Sequence, residues 1–157
     1  RLTALLSVYY LITSDRRVTP VIYVWGIFGG ILALAHPGMD PFKFPHFSNT
    51  FFYFYHIAIL MAAYVVFKEH RAYILKCKKQ VRLFTLFFNL SLYVINLGLH
   101  SNYGYMVKSP IFADKFSGMT FYFLIAIFAY DLLVQIIYKI TDIKYGDDVN
   151  MEDIGVE

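Results

Sequence analysis

Charge is what this chain has least of: Lys, Arg, Asp and Glu together make only 16% of its 157 residues. Soluble domains carry about 25%, and the mean hydropathy of +0.54 points the same way. A single cysteine, Cys77, rules out an intrachain disulfide and a cysteine-only metal site. One Trp stands against 16 Phe and 14 Tyr. No alternating strand pattern, internal repeat, low-complexity run or signal peptide is visible, so a β-barrel is not expected. The net charge of +3 comes from basic residues beside apolar stretches and does not suggest nucleic acid as a partner.

Long apolar segments take the place of charge. They run over Leu2 to Thr13, about Val18 to Leu34, Thr50 to Phe67, about Val81 to Leu99 and about Met119 to Ile140. A membrane helix needs about 17–25 apolar residues, which the last four satisfy and the first does not. Helices are the spanning solution that satisfies every backbone polar group within one segment. The sequence therefore predicts an all-α, polytopic transmembrane helical bundle over residues 1–140: four complete spans plus the end of an earlier, truncated helix. The chain starts with Arg1, and earlier helices are expected to precede it. Residues 141–157 carry six acids and are expected to form a cytoplasmic, disordered tail.

Basic residues set the expected orientation. Lys68 to Arg82 holds six Lys or Arg and Ser14 to Arg17 holds two, against one and two in the loops Ala35–Asn49 and Ser101–Gly118. Short Lys- and Arg-rich loops stay in the cytoplasm. The expectation is a multi-pass protein of the cell membrane, with 68–82 and the C-terminus inside.

Polar residues inside apolar spans are expensive and mark sites or contacts. His56 lies in a segment with no acid or base from Thr50 to Phe67, ~9 Å below Thr50 at 1.5 Å per residue. On the fourth span Thr85, Asn89, Tyr93, Asn96 and His100 share one helical face. Interhelical hydrogen bonding explains such a stripe; so does a polar cavity opening outward, with His100 at its mouth. The fifth span adds Asp131, Gln135 and Tyr138 at the same spacing. Asp131 is expected to be hydrogen-bonded or protonated, with Asn89 and Tyr93 as its partners, so Asn89, Tyr93, Asp131 and Gln135 form a candidate intramembrane network.

Gly26 and Gly30 make a GxxxG face for close helix packing. Phe42, Phe44, Phe47 and the run Phe51 to Tyr55 read as an interfacial aromatic belt. His36 and His46 are not paired at ligand spacing, and neither a metal nor a cofactor is expected. Cys77, between Lys76 and Lys78, reads as a passive thiol, although neighbouring lysines lower a thiol pKa and favour lipidation.

Three ordered motifs then resemble a known family. They are Val24-Trp25-Gly26 through Met39-Asp40; Phe44-Pro45-His46-Phe47 with Phe51 to His56; and Asn96 followed by Ser101-Asn102-Tyr103 and Lys108-Ser109-Pro110. Together they resemble the YwaF-like polytopic membrane proteins of bacteria, related to a mammalian transmembrane acyltransferase that remodels ether phospholipids. The resemblance covers about Val18 to Ile140. His36 stands where the family usually has Thr, and Ile57 where it has Gly. The family's upstream cysteine helix has no counterpart here, and Cys77 does not match that cysteine in position. By resemblance, His56 is the general base, and Asn96, Asn102 and Tyr103 orient the ring or bind the acyl oxyanion; His100, from its place at the end of the polar stripe, is a further candidate substrate-binding residue.

Three functions follow as expectations. The first is a lipid-binding protein or a subunit of a larger membrane complex, its partners being membrane lipids and other membrane-protein subunits. The second is an acyltransferase or lipid-ester hydrolase using His56, with a nucleophile upstream of Arg1. The third is a proton-coupled transporter using Asp131 and His56.

Overall fold

A computed structural model describes residues 2–37, 47–107 and 119–146. The helices, in chain order, are α1 (Leu2–Thr13), α2 (Thr19–Ala35), α3 (Phe47–Lys76), α4 (Lys78–Leu99) and α5 (Met119–Tyr145). Single 3-10 turns at Arg16–Val18 and Tyr103–Tyr105 complete the order, and no strand occurs among the described residues. Four helical stretches among these residues are long and apolar enough to cross a membrane: Arg16–Ala35, Phe47–Lys76, Lys78–Leu99 and Tyr122–Tyr145. The all-α transmembrane class expected from composition is the observed one. Much of the loop carrying His46, Phe42 and Phe44, the Lys108-Ser109-Pro110 motif and the tail from Asp147 lie outside the described residues.

Helix ends differ from the apolar limits where the chain turns charged. α3 continues past Phe67 through Lys68, Glu69 and Arg71 to Lys76, so the expected basic loop is mostly helix. Hydropathy marks where a helix meets lipid, whereas Lys, Glu, Arg and Ala are good helix formers in any solvent. Only Cys77 separates α3 from α4. α5 likewise runs to Tyr145, five residues into the expected tail. A bend at His70 (φ −126°, ψ 28°) interrupts α3.

The residues gather into two compact units: one holds the chain up to Cys77 together with the end of α5 from Thr141, the other Lys78–Ile140. In the first, α1 stops at Ser14, whose left-handed backbone (φ 53°) lets its N–H donate to Tyr10 O at 2.8 Å, a common way to satisfy a last carbonyl. Asp15 caps the following turn, its Oδ1 accepting from Arg17 N at 2.9 Å. Pro20 enters α2 in its first turn, where its missing N–H has no helical partner to lose.

Among the described residues α2 and α3 are the most extensively packed pair, and glycine makes this possible. A Cβ on Gly26 would fall 2.8 Å from Ala63 Cβ, and one on Gly30 2.6 Å from Leu60 Cγ. The GxxxG face read from the sequence is thus the packing face. Ile22 and Ala63 are fully buried beside it. Tyr23 stacks on Phe67 at 4.6 Å and shares a 2.7 Å hydrogen bond with Thr141 Oγ1, which ties the end of α5 into this unit. At the bend, Tyr10 OH donates to Glu69 Oε2 at 2.6 Å and lies 2.8 Å from His70 Nε2.

The second unit joins α4, its following turn and α5. Met106, Tyr122, Phe123 and Ala126 form its apolar cluster. Tyr93 stacks on Phe123 with centroids 3.8 Å apart. Tyr130 OH donates to Gly104 O at 2.9 Å. Gly104 needs its positive φ of 65°, and a Cβ there would meet Leu92 Cδ1 at 2.9 Å.

Candidate functional site

His56 sits half-buried in the third turn of α3. Its Nδ1 lies 2.7 Å from Phe52 O, one helical turn back. A carbonyl oxygen only accepts, so Nδ1 carries the hydrogen. In the neutral ring the lone pair then sits on Nε2. Phe52 and Tyr55 pack against the imidazole at 4.3 and 5.0 Å between centroids. This fixed tautomer is the arrangement a proton acceptor needs.

The amide row belongs to the other unit. Thr85, Asn89 and Asn96 are all buried on one face of α4, as the period of the stripe predicts. Their environments differ sharply. Asn96 is well matched: its Nδ2 donates to Tyr103 O at 2.9 Å. Its Oδ1 accepts from Ser101 Oγ at 2.9 Å and from Tyr103 N at 2.7 Å. The side chain folds the exit from α4 back onto the helix. His100 takes a left-handed backbone (φ 49°), and Ser101 N donates to Asn96 O at 3.2 Å, the six-to-one bond of a Schellman ending. Asn102 Oδ1 accepts from Val107 N at 3.0 Å. Of the four residues singled out as substrate-binding, Asn96, His100 and Asn102 thus shape the loop, and Tyr103 presents an exposed ring.

Asn89 is the opposite case. It is 1% exposed, and neither its Oδ1 nor its Nδ2 has a hydrogen-bond partner among the described residues. Leaving a buried polar group unmatched costs about 1–3 kcal/mol. Asn89 lines a cavity of about 480 Å³ between the first half of α4 and the middle of α5. This cavity also takes in Lys79, Arg82, Thr85 and Asp131, at the end of α4 away from His100.

Asp131 is matched, but by neither partner the sequence suggested. Arg82 grips it with two bonds, Nε to Oδ1 at 2.7 Å and Nη2 to Oδ2 at 2.9 Å. Gln135 Nε2 donates to Oδ2 at 2.7 Å. Fork-to-carboxylate pairing is the stronger form of an ion pair. Arg82 precedes Thr85 by three residues and extends the polar stripe back one turn, a signal the sequence did carry. Tyr93, expected in the same network, is instead stacked on Phe123.

Cys77 is buried. Burial pushes its thiol up from the usual range, against the lowering effects of Tyr73 and Arg16. Buried and protonated, it makes a poor nucleophile. Its two flanking lysines are not what governs it. Among the described residues no group of three or more His, Cys, Asp or Glu side chains could hold a metal.

Comparison with known proteins adds one match. No curated protein matches the chain, and no solved structure does. One family model matches residues 1–141, and with nearly the whole chain under it this polytopic membrane protein belongs to the TMEM164 family.

Proposed function

We propose that this protein acts on membrane lipids, with His56 as the general base of an acyl transfer or lipid-ester hydrolysis. One observation carries the reading: the Nδ1–H to Phe52 O bond holds the ring and leaves Nε2 as its proton acceptor. In the reaction a thiol or hydroxyl gives its proton to Nε2 while its sulfur or oxygen attacks an ester carbonyl. The tetrahedral intermediate then expels an alkoxide, which takes the same proton back. The YwaF-like resemblance supports the histidine's role and assigns the nucleophile to a cysteine on an upstream helix. Cys77, with its buried and raised thiol, is not that group. The Lys and Arg count favours a cell membrane with the Lys68–Arg82 segment in the cytoplasm.

A second reading has its own support. Asn96 turns its Oδ1 and one of its two Nδ2 hydrogens to its own loop, so most of its amide shapes that loop and little of it is available to an oxyanion. That favours a non-catalytic lipid-binding protein, or a subunit held among other membrane proteins.

Replacing His56 separates the two. For the base, His56→Gln and His56→Ala both reduce acyl turnover of radiolabelled phospholipid in membranes by about 10²–10⁴-fold. Turnover at the parent's rate in His56→Gln, with the protein folded, discards the catalytic reading and leaves the binding one.

A further inference from the structure

We infer that the cavity between α4 and α5 is a binding site for an anionic glycerophospholipid, separate from the His56 region and independent of any turnover there. Three observations point to such a ligand. First, the buried Asn89 amide offers the cavity both a donor and an acceptor that nothing among the described residues uses. An ester carbonyl or glycerol hydroxyl complements it. Protein interiors leave few such groups unmatched.

Second, the charge at the entrance is unbalanced. Lys79 and Arg82 face one acid, Asp131. Arg82 commits Nε and Nη2 to that acid, which leaves Lys79 as excess positive charge. Lys79 is exposed, in the first turn of α4, and Lys76 and Lys78 lie close by in the chain. Basic pockets between membrane helices at this level collect anionic headgroups.

Third, the remaining walls are hydrocarbon: Leu83, Leu86, Leu124, Ile127 and Phe128. Along α4 the order is ammonium, guanidinium, amide, spanning ~15 Å from Lys79 to Asn89 at 1.5 Å per residue. A phospholipid presents its groups in the same order: phosphate, ester, then acyl chain. A soluble phosphate would leave both the amide and the apolar wall unused.

The test uses the purified chain in detergent, with bound lipid measured by native mass spectrometry. Dioleoyl phosphatidylglycerol is compared with dioleoyl phosphatidylcholine, which has the same acyl chains and a headgroup of no net charge. The parent is expected to prefer phosphatidylglycerol by about fivefold, the effect of one basic residue at the surface. Lys79→Gln, at an exposed position, removes that preference. Asn89→Leu weakens both lipids by about tenfold, the loss from a buried hydrogen bond. His56→Ala changes neither, so failure of the catalytic reading leaves this site standing. Equal binding of the two lipids by the parent overturns the proposal, as does a preference that survives Lys79→Gln. Should Asn89→Leu fail to fold, the Lys79 result alone decides.

Discussion

Asn89 and Asn96 are the same residue on the same face of one helix, seven positions apart and both almost wholly enclosed. One makes three hydrogen bonds to its own loop; the other makes none among the described residues. Burial alone therefore says little about what an amide is for. The partner inventory decides: Asn96 is engaged by its own loop, whereas Asn89 stands at a cavity wall with its amide unmatched among the described residues. The same contrast separates the glycines, since Gly26 is pressed against α3 while Gly29 meets nothing within 4 Å.

The contrast can be broken most forcefully at its well-bonded end. Asn96→Leu removes three hydrogen bonds at roughly 0.5–1.5 kcal/mol each. It should lower stability by about 2–4 kcal/mol in denaturant titrations in detergent. A loss below half a unit would mean the loop closes without its clasp. Next in size is Gly26→Leu, where the added side chain must displace Ala63 or the α3 backbone. Overpacking of this kind costs about 1–3 kcal/mol, whereas Gly29→Ala should gain about 0.5–1 kcal/mol of helix propensity. Equal melting temperatures for the two variants would refute the close approach.

Asn89→Leu gives the opposite sign to Asn96→Leu. In lipid-depleted detergent it should leave stability unchanged or raise it by about 1 kcal/mol, because an unmatched amide is replaced by hydrocarbon. Marked destabilisation there would show that Asn89 does have a partner. The smallest effect is expected at Asp15. The Arg17 side chain first, and then its backbone N–H, hold this carboxyl at about 2 instead of 3.8. A lowered pKa stabilises the folded state above the ordinary value. The contribution is whole at neutral pH and fades as pH falls from about 4 through about 2. Acid titration of Asp15→Asn should show that slope slightly flattened.

Periodicity made much of this legible in advance. Four spans, the GxxxG face and the buried side of α4 follow from spacing and composition, because membrane helices have few other ways to satisfy their backbone. Partnership did not follow. Arg82 was counted among the loop cations that set orientation, yet it lies inside α4 and clamps Asp131. Lys68 to Lys76 looked like a connection because charge ends a hydropathy window, although it does not end a helix. Tyr93 read as polar from its place in the stripe, but its ring serves Phe123. No spacing rule announces that His56 binds the carbonyl behind it; that depends on a rotamer.

The bend at His70 bears on how the protein answers to bilayer thickness. Thirty straight helical residues would measure ~45 Å, well beyond a hydrocarbon layer of ~30 Å. The uncharged stretch from Thr50 to Phe67, with eighteen residues, measures ~27 Å and nearly matches it. By turning at the edge of that stretch, α3 lets the membrane gauge only its apolar portion, while the basic remainder is held against α1 by Tyr10.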